Sequence, residues 1–298
     1  MNIALIGFGE AGLAIATSLC RERGDRAEIR AFDIKLVDDD NAVASEMQAR
    51  IAEAGVAVCT SPADAVTDAG IVISVVTADQ AATVAALAAR HLSPDTLYLD
   101  MNSCAPTTKQ IAAGSVTSGG GVYVDVAVMA PIEARGHETP MLAAAPNPDT
   151  VATRLAAAGL RPRFVGDEIG RASTIKMLRS VMVKGIEALT AECFRAAVTA
   201  GVADEVANSL DASQTDMGWA EQASYNMERM TAHGIRRAAE MREVAKTLRA
   251  LDIPPAMTTG TIAWQDKMGA LELTLAPDAA LADQIALIQQ ALESKRDT

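Results

Sequence analysis

The stretch Asn2-Ile3-Ala4-Leu5-Ile6-Gly7-Phe8-Gly9-Glu10-Ala11-Gly12 sets the reading of the whole chain. A short apolar run of strand character enters a G-x-G-x-x-G turn, and a helical pattern follows from Gly12 to Glu22. In that context each glycine has a task. Gly7 permits the tight turn, Gly9 lets backbone N–H groups approach a pyrophosphate, and Gly12 lets the helix pack on the strand. The helix N-terminus then directs its partial positive charge towards the phosphates. The next strand-like run, Ala27–Asp33, ends in an acid 21 residues beyond Gly12. An acid there accepts hydrogen bonds from the adenosine ribose hydroxyls and repels a 2′-phosphate. The expected ligand is therefore a nicotinamide dinucleotide, NAD in preference to NADP, with Lys35 the feature that leaves NADP open. No second motif for a flavin is visible. The candidate cofactor residues are Gly7, Phe8, Gly9, Glu10, Ala11, Gly12 and Asp33, with Val76 and Asn102 at the ends of later strand-like runs.

Outward from this turn, strand-like and helical runs alternate. Val56–Cys59, Ile71–Val76 and Leu97–Asp100 read as strands with helices between them, and Val122–Val128, Met141–Ala145 and Arg161–Val165 can add more. Such βαβ order predicts an α/β fold, a Rossmann-type, mostly parallel sheet covered by helices. Beyond Gly170 the strand signal ends. Ala172–Ala200 reads as one long helix, mostly apolar from Ile175 to Leu189 and so expected to be buried on most sides. Further helices are expected around 204–210, 218–232, 235–250, 255–269 and 279–293, separated by Gly201, Gly234 and Pro254-Pro255. The domains are placed at 1–166, dinucleotide-binding, and 167–298, all-helical. Gly234 is expected to end a helix, leaving His233 near its C-cap and Arg236 and Arg237 in the first turn of the next. Cations are unfavourable there unless an anion faces them, which makes the pair a candidate for a substrate carboxylate or a carboxylate across an interface. The plainer alternative is an ion pair with Glu240.

The 298 residues are 50% hydrophobic, and Lys+Arg 26 against Asp+Glu 38 gives a formal charge of −12. That balance argues against nucleic acid or an anionic membrane as the main partner. No apolar run reaches spanning length and no basic leader precedes the first strand, so a cytoplasmic protein is expected. Cys20, Cys59, Cys104 and Cys193 lack metal-ligand spacing, and His91, His137 and His233 are scattered, so no metal site is expected.

On the long helix, Ser173, Lys176, Ser180, Lys184 and Glu187 fall within about 80° of one another at 100° per residue. A lysine on a buried helix is desolvated, which lowers its pKa towards that of a usable acid or base. The alternative is a solvent-facing edge with snorkelling lysines.

The N-terminal fingerprint, Leu97–Ser103 (LYLDMNS) followed by Pro106, and Gly170-Arg171-Ala172-Ser173-Thr174-Ile175-Lys176 together resemble the β-hydroxyacid dehydrogenase superfamily, which includes 3-hydroxyisobutyrate and 6-phosphogluconate dehydrogenases. The resemblance implies an interdomain helix and a helical C-terminal domain that pairs as a homodimer. It also implies Lys176 as the catalytic acid and base on a small anionic hydroxy acid, sugar acids among them. Three departures stand out, one of them a second lysine, Lys184, about one turn beyond Ser180. Where the family has D-A-P-V-S-G-G, a loop that helps bind a carboxylate, this chain has Asp125-Val126-Ala127-Val128-Met129-Ala130-Pro131; where the family has asparagine after the lysine, it has Ser180. The substrate-binding candidates are Ser103, Met129, Pro131, Ser180, Lys184, His233, Arg236 and Arg237. An imine reductase of related architecture and a non-catalytic NAD-binding regulator are the rival readings.

Overall fold

The computed structural model describes residues 2–23, 28–213, 216–276 and 279–295. They form two compact units, Met1–Val181 and Met182–Thr298. The loss of strand signal near Gly170 thus precedes the division between units, which falls inside one helix.

In the first unit the chain runs β1 (Ile3–Ile6), α1 (Glu10–Arg23), β2 (Ile29–Phe32), α2 (Asn41–Glu53), β3 (Ala57–Val58), α3 (Pro62–Val66), β4 (Ile71–Ser74), α4 (Ala81–Ala89) and β5 (Leu97–Asp100). It continues through α5 (Pro106–Ser118), β6 (Val122–Val128), β7 (Met141–Ala144), α6 (Pro148–Ala157) and β8 (Arg163–Phe164) to the start of α7 (Arg171–Ala200). One eight-stranded sheet results, in the order β3-β2-β1-β4-β5-β6-β7-β8. Every pairing is parallel except β6 with β7. Strand order reverses between β1 and β4, the switch point where open α/β sheets bind ligands. Both faces are covered. Ile3, Leu5, Ile71, Ile73, Leu97 and Leu99 pack on one side with Phe8, Ile15 and Leu19. Their strand neighbours Ala4, Ile6, Val72, Tyr98 and Tyr123 pack on the other with Val66, Ala85 and Val116. Strands buried on both faces read as unbroken apolar runs, which is why their sequences show little alternation.

The second unit is helical: the rest of α7, then α8 (Ala203–Asp211), α9 (Trp219–Ala250), α10 (Ala256–Gly269) and α11 (Leu281–Ser294). Two expectations are corrected here. Gly234 does not break a helix; α9 runs through it as 32 residues. A Cβ on Gly234 would lie 2.3 Å from the Gln265 carbonyl oxygen and 2.7 Å from the Gly269 nitrogen. The glycine therefore serves a close helix–helix approach rather than a stop. His233, Arg236 and Arg237 are mid-helix residues, so the first-turn electrostatic argument for the arginines falls away; the Glu240 side chain lies outside the described residues. The second correction concerns α7, which is not buried on most sides in the single chain. Leu178 and Val181 are 66% and 69% exposed, and Met182, Ile186 and Leu189 are also well exposed.

Candidate active site

The turn after β1 is built as the fingerprint requires. Gly7 has φ +92°, and a Cβ there would meet the Val75 carbonyl oxygen at 2.4 Å; one on Gly12 would meet the Gly7 carbonyl oxygen at 2.5 Å. Packing within the chain alone therefore demands both glycines. Gly9 is different: a Cβ would meet nothing within 4 Å. The space above Gly9 fits a group bound from outside, such as a pyrophosphate. The first-turn N–H groups of α1, from Glu10 through Ala11 to Gly12, have no acceptor earlier in the helix and face that approach. Phe8 plays another part. Its ring is fully buried in the core, and its N–H donates to Asp33 Oδ2 at 2.6 Å. Asp33 Oδ1 accepts from the Lys35 N–H at 3.0 Å. The acid at the end of β2 is thus fixed against the glycine turn, with lone pairs remaining for ribose hydroxyls.

At the end of β5, the Asn102 side chain ties neighbouring strands together. Its Oδ1 accepts from the Val76 N–H at 2.7 Å, and its Nδ2 donates to Asp100 Oδ1 at 2.7 Å and Ser74 Oγ at 3.1 Å. Val76 and Asn102 are therefore hydrogen-bonded to each other at adjacent strand ends. Ser103 follows, and its Oγ accepts from Lys176 Nζ at 2.6 Å. Residues 73 apart in sequence thus meet at the carboxyl edge of the sheet, with Lys176 half-buried.

Beneath that pair lies a polar cluster that the sequence reading did not assemble. Lys109, from α5, is fully buried. Its Nζ donates to the Asp100 carbonyl at 2.6 Å and to Asp100 Oδ1 at 3.0 Å, and lies 3.5 Å from Asp125 Oδ1. Asp100 Oδ2 accepts from the Tyr123 hydroxyl at 2.6 Å. Burial, followed by the charge of Asp100, pushes the Tyr123 phenol far above its ordinary range, so it stays a donor. Asp125 Oδ2 accepts the N–H groups of Gly170 and Ser173, each at 3.1 Å, and Oδ1 accepts the Ser173 hydroxyl at 2.5 Å. Asp125 is thus the remote N-terminal cap of α7, one turn ahead of Lys176. The usable signal was the two aspartates in the apolar strands LYLD and VYVDVAV, since buried carboxylates demand partners.

Other candidates are dispersed. Met129 is half-buried, its N–H spent on the Pro140 carbonyl at 2.9 Å, and Pro131 is exposed. The Ser180 hydroxyl donates to the Lys176 carbonyl at 2.9 Å, a bond within its own helix. Lys184 lies on the same helix past the division between units, and His233, Arg236 and Arg237 lie on α9. His137 is buried between Ser18 Oγ, at 2.8 Å, and the Glu22 carboxylate, which holds the loop before β7 onto α1. Among the described residues no group of three or more His, Cys, Asp or Glu could hold a metal ion, and no helix is long and apolar enough to cross a membrane.

Residues 2–145 match the NAD binding domain of 6-phosphogluconate dehydrogenase, and residues 197–268 match DUF1932, a domain of unknown function. A conserved hypothetical protein from Sinorhizobium meliloti 1021 is 33% identical; the match covers 98% of this chain and 96% of that one, with a TM-score of 0.61. The conserved protein MTH1747, reported as structurally similar to 3-hydroxyacid dehydrogenases, is 30% identical over 91% of this chain and 97% of its own, with a TM-score of 0.58. A Streptomyces aurantiacus imine reductase shares the fold at 18% identity and a TM-score of 0.71, over 97% and 99% of the two chains. The chain belongs to the β-hydroxyacid dehydrogenase superfamily, in a branch that joins the 6-phosphogluconate-dehydrogenase type of NAD-binding domain to a DUF1932 region. Its N-terminal unit is an NAD(P)-binding domain.

Proposed function

We propose that the protein is an NAD(P)-dependent oxidoreductase acting on the hydroxyl-bearing carbon of a small hydroxy acid, with Lys176 as acid and base. The contact of Lys176 Nζ with Ser103 Oγ, 2.6 Å long at the sheet's carboxyl edge, carries the reading. The bound nicotinamide supplies the hydride acceptor or donor. Neutral Lys176 would take the substrate hydroxyl proton, and its ammonium would return that proton to the developing alkoxide in the reverse direction. Ser103 holds the amine in place, while Ser180, Lys184, His233, Arg236 and Arg237 remain the proposed binders of hydroxyl and anionic groups. Asp33 favours NAD. The exposed apolar residues of α7 suit a second copy of the chain, and a homodimer in sedimentation equilibrium would support that; a monomer would refute it.

One observation favours imine reduction as the second reading. Met129 has spent its N–H on Pro140 and Pro131 has none, so this loop is poor in donors for a carboxylate. A panel of hydroxy acids, aldonates and cyclic imines, read by absorbance of the reduced nicotinamide, separates the two. Lys176→Ala is expected to abolish oxidation of a hydroxy acid while leaving NAD(H) affinity within about twofold, since only the transition-state contact is lost. Unchanged turnover in that variant would refute the mechanism.

A further inference from the structure

The proposed chemistry uses Lys176 and Ser103 and leaves Lys109 without a task, although Lys109 is the one fully buried cation among the described residues. Its position is unusual. It touches two carboxylates, and each sits at the root of one partner in the site. Asp100 accepts from Lys109 and also from the Asn102 N–H, at 2.9 Å, and the Asn102 side chain, at 2.7 Å; Ser103 is the next residue. Asp125 lies 3.5 Å from the same ammonium and holds the Gly170 and Ser173 N–H groups that begin the helix of Lys176. All three ionisable groups have fully buried side chains. Without the ammonium, two carboxylates would face each other in a medium that screens them poorly, and one segment would have to move or take up a proton.

We propose that Lys109 is a positioning residue for Lys176. One buried ammonium locks the Ser103 turn and the α7 N-terminus to a common point, and so sets the Lys176–Ser103 approach. The proposal rests on Lys176 being the acid and base, but its geometry is testable without a substrate.

The test is the rate at which Lys176 is acylated by acetic anhydride in limiting amount at mildly alkaline pH, read by peptide mass spectrometry against Lys267 as internal reference. Losing the bond to Ser103 destabilises the ammonium and raises the fraction of reactive neutral amine. Ser103→Ala is therefore expected to raise Lys176 acylation by about threefold or more, and Lys109→Met to raise it similarly. The double variant should rise no further than either single, since both remove one interaction. A merely structural lysine predicts otherwise: Lys176 acylated at the wild-type rate in Lys109→Met, or effects that multiply in the double variant. Either outcome overturns the proposal. If Lys109→Met does not fold, Asp125→Asn decides by the same criterion; it keeps an acceptor for the Gly170 and Ser173 N–H groups and leaves Lys109 paired with Asp100. Failure of the catalytic reading shows separately, as turnover that survives Lys176→Ala.

Discussion

Two helices in this protein begin on a carboxylate borrowed from elsewhere in the chain, and the two arrangements differ. At the start of α7, Asp125 of β6 takes the N–H groups of Gly170 and Ser173 and the Ser173 hydroxyl. At the start of α10, Glu192 of α7 takes the N–H groups of Met257 and Thr258, at 2.8 and 2.9 Å, and the Thr258 hydroxyl at 2.6 Å. The donors are nearly the same. The surroundings are not: Asp125 is fully buried and lies beside Lys109, whereas Glu192 is half-buried and no lysine or arginine is placed beside it among the described ion pairs. A helix N-terminus alone stabilises an anion that water still reaches, but a dry anion also needs a counter-charge.

Lys109→Met strands two buried carboxylates and is expected to lower unfolding free energy by about 3–5 kcal/mol, measured by urea titration. A loss near that of an ordinary surface substitution would mean the cation is dispensable and the contrast with Glu192 empty. Adding Asp125→Asn to Lys109→Met should return roughly half of that loss if charge is its source; a further decrease would assign the loss to packing. Glu192→Gln should cost only about 1 kcal/mol, the usual value of a helix cap. Its pH dependence supplies the sign. Burial works to raise the Glu192 pKa, but the bonds from Thr258 and from the backbone of Ala256, Met257 and Thr258 outweigh it and hold the carboxyl below its ordinary value of 4.5. The stabilisation is therefore complete above pH 4.5 and disappears as pH falls through the lower folded value. The gap between wild type and Glu192→Gln should be full at neutrality and close in acid; a gap independent of pH would remove the ionised cap.

Much of the fold was legible because its signals are local. The apolar run into Gly7-Phe8-Gly9-Glu10-Ala11-Gly12, the acid Asp33, and the short strands at 71–74, 97–100 and 122–128 all stand in the sheet as their patterns suggest. Gly234 misled because a glycine that ends a helix and one that lets two helices touch look alike in one dimension. Its partner Gly269 lies 35 residues away in another helix. The site divides in the same manner. Lys176 stood out from its helix, but its contact with Ser103, 73 residues away, is visible only in the folded chain. Lys109 was invisible because its meaning comes from Asp100 and Asp125, which only strand pairing brings together; β5 and β6 place those two residues directly opposite each other. Nor did the apolar surface of α7 distinguish burial in the chain from exposure on it.

The polar cluster also has a consequence for the order in which a ribosome delivers this molecule. Asp100, Lys109, Tyr123 and Asp125 all lie between positions 97 and 128, and the β5–α5–β6 unit is enough to gather them. Gly170 and Ser173 emerge 45 and 48 residues after Asp125. A nascent sheet can thus already present a fixed negative charge when the long helix appears, and the helix docks by its positive end. Synthesis would then assemble the structural support first and deliver Lys176 to it last.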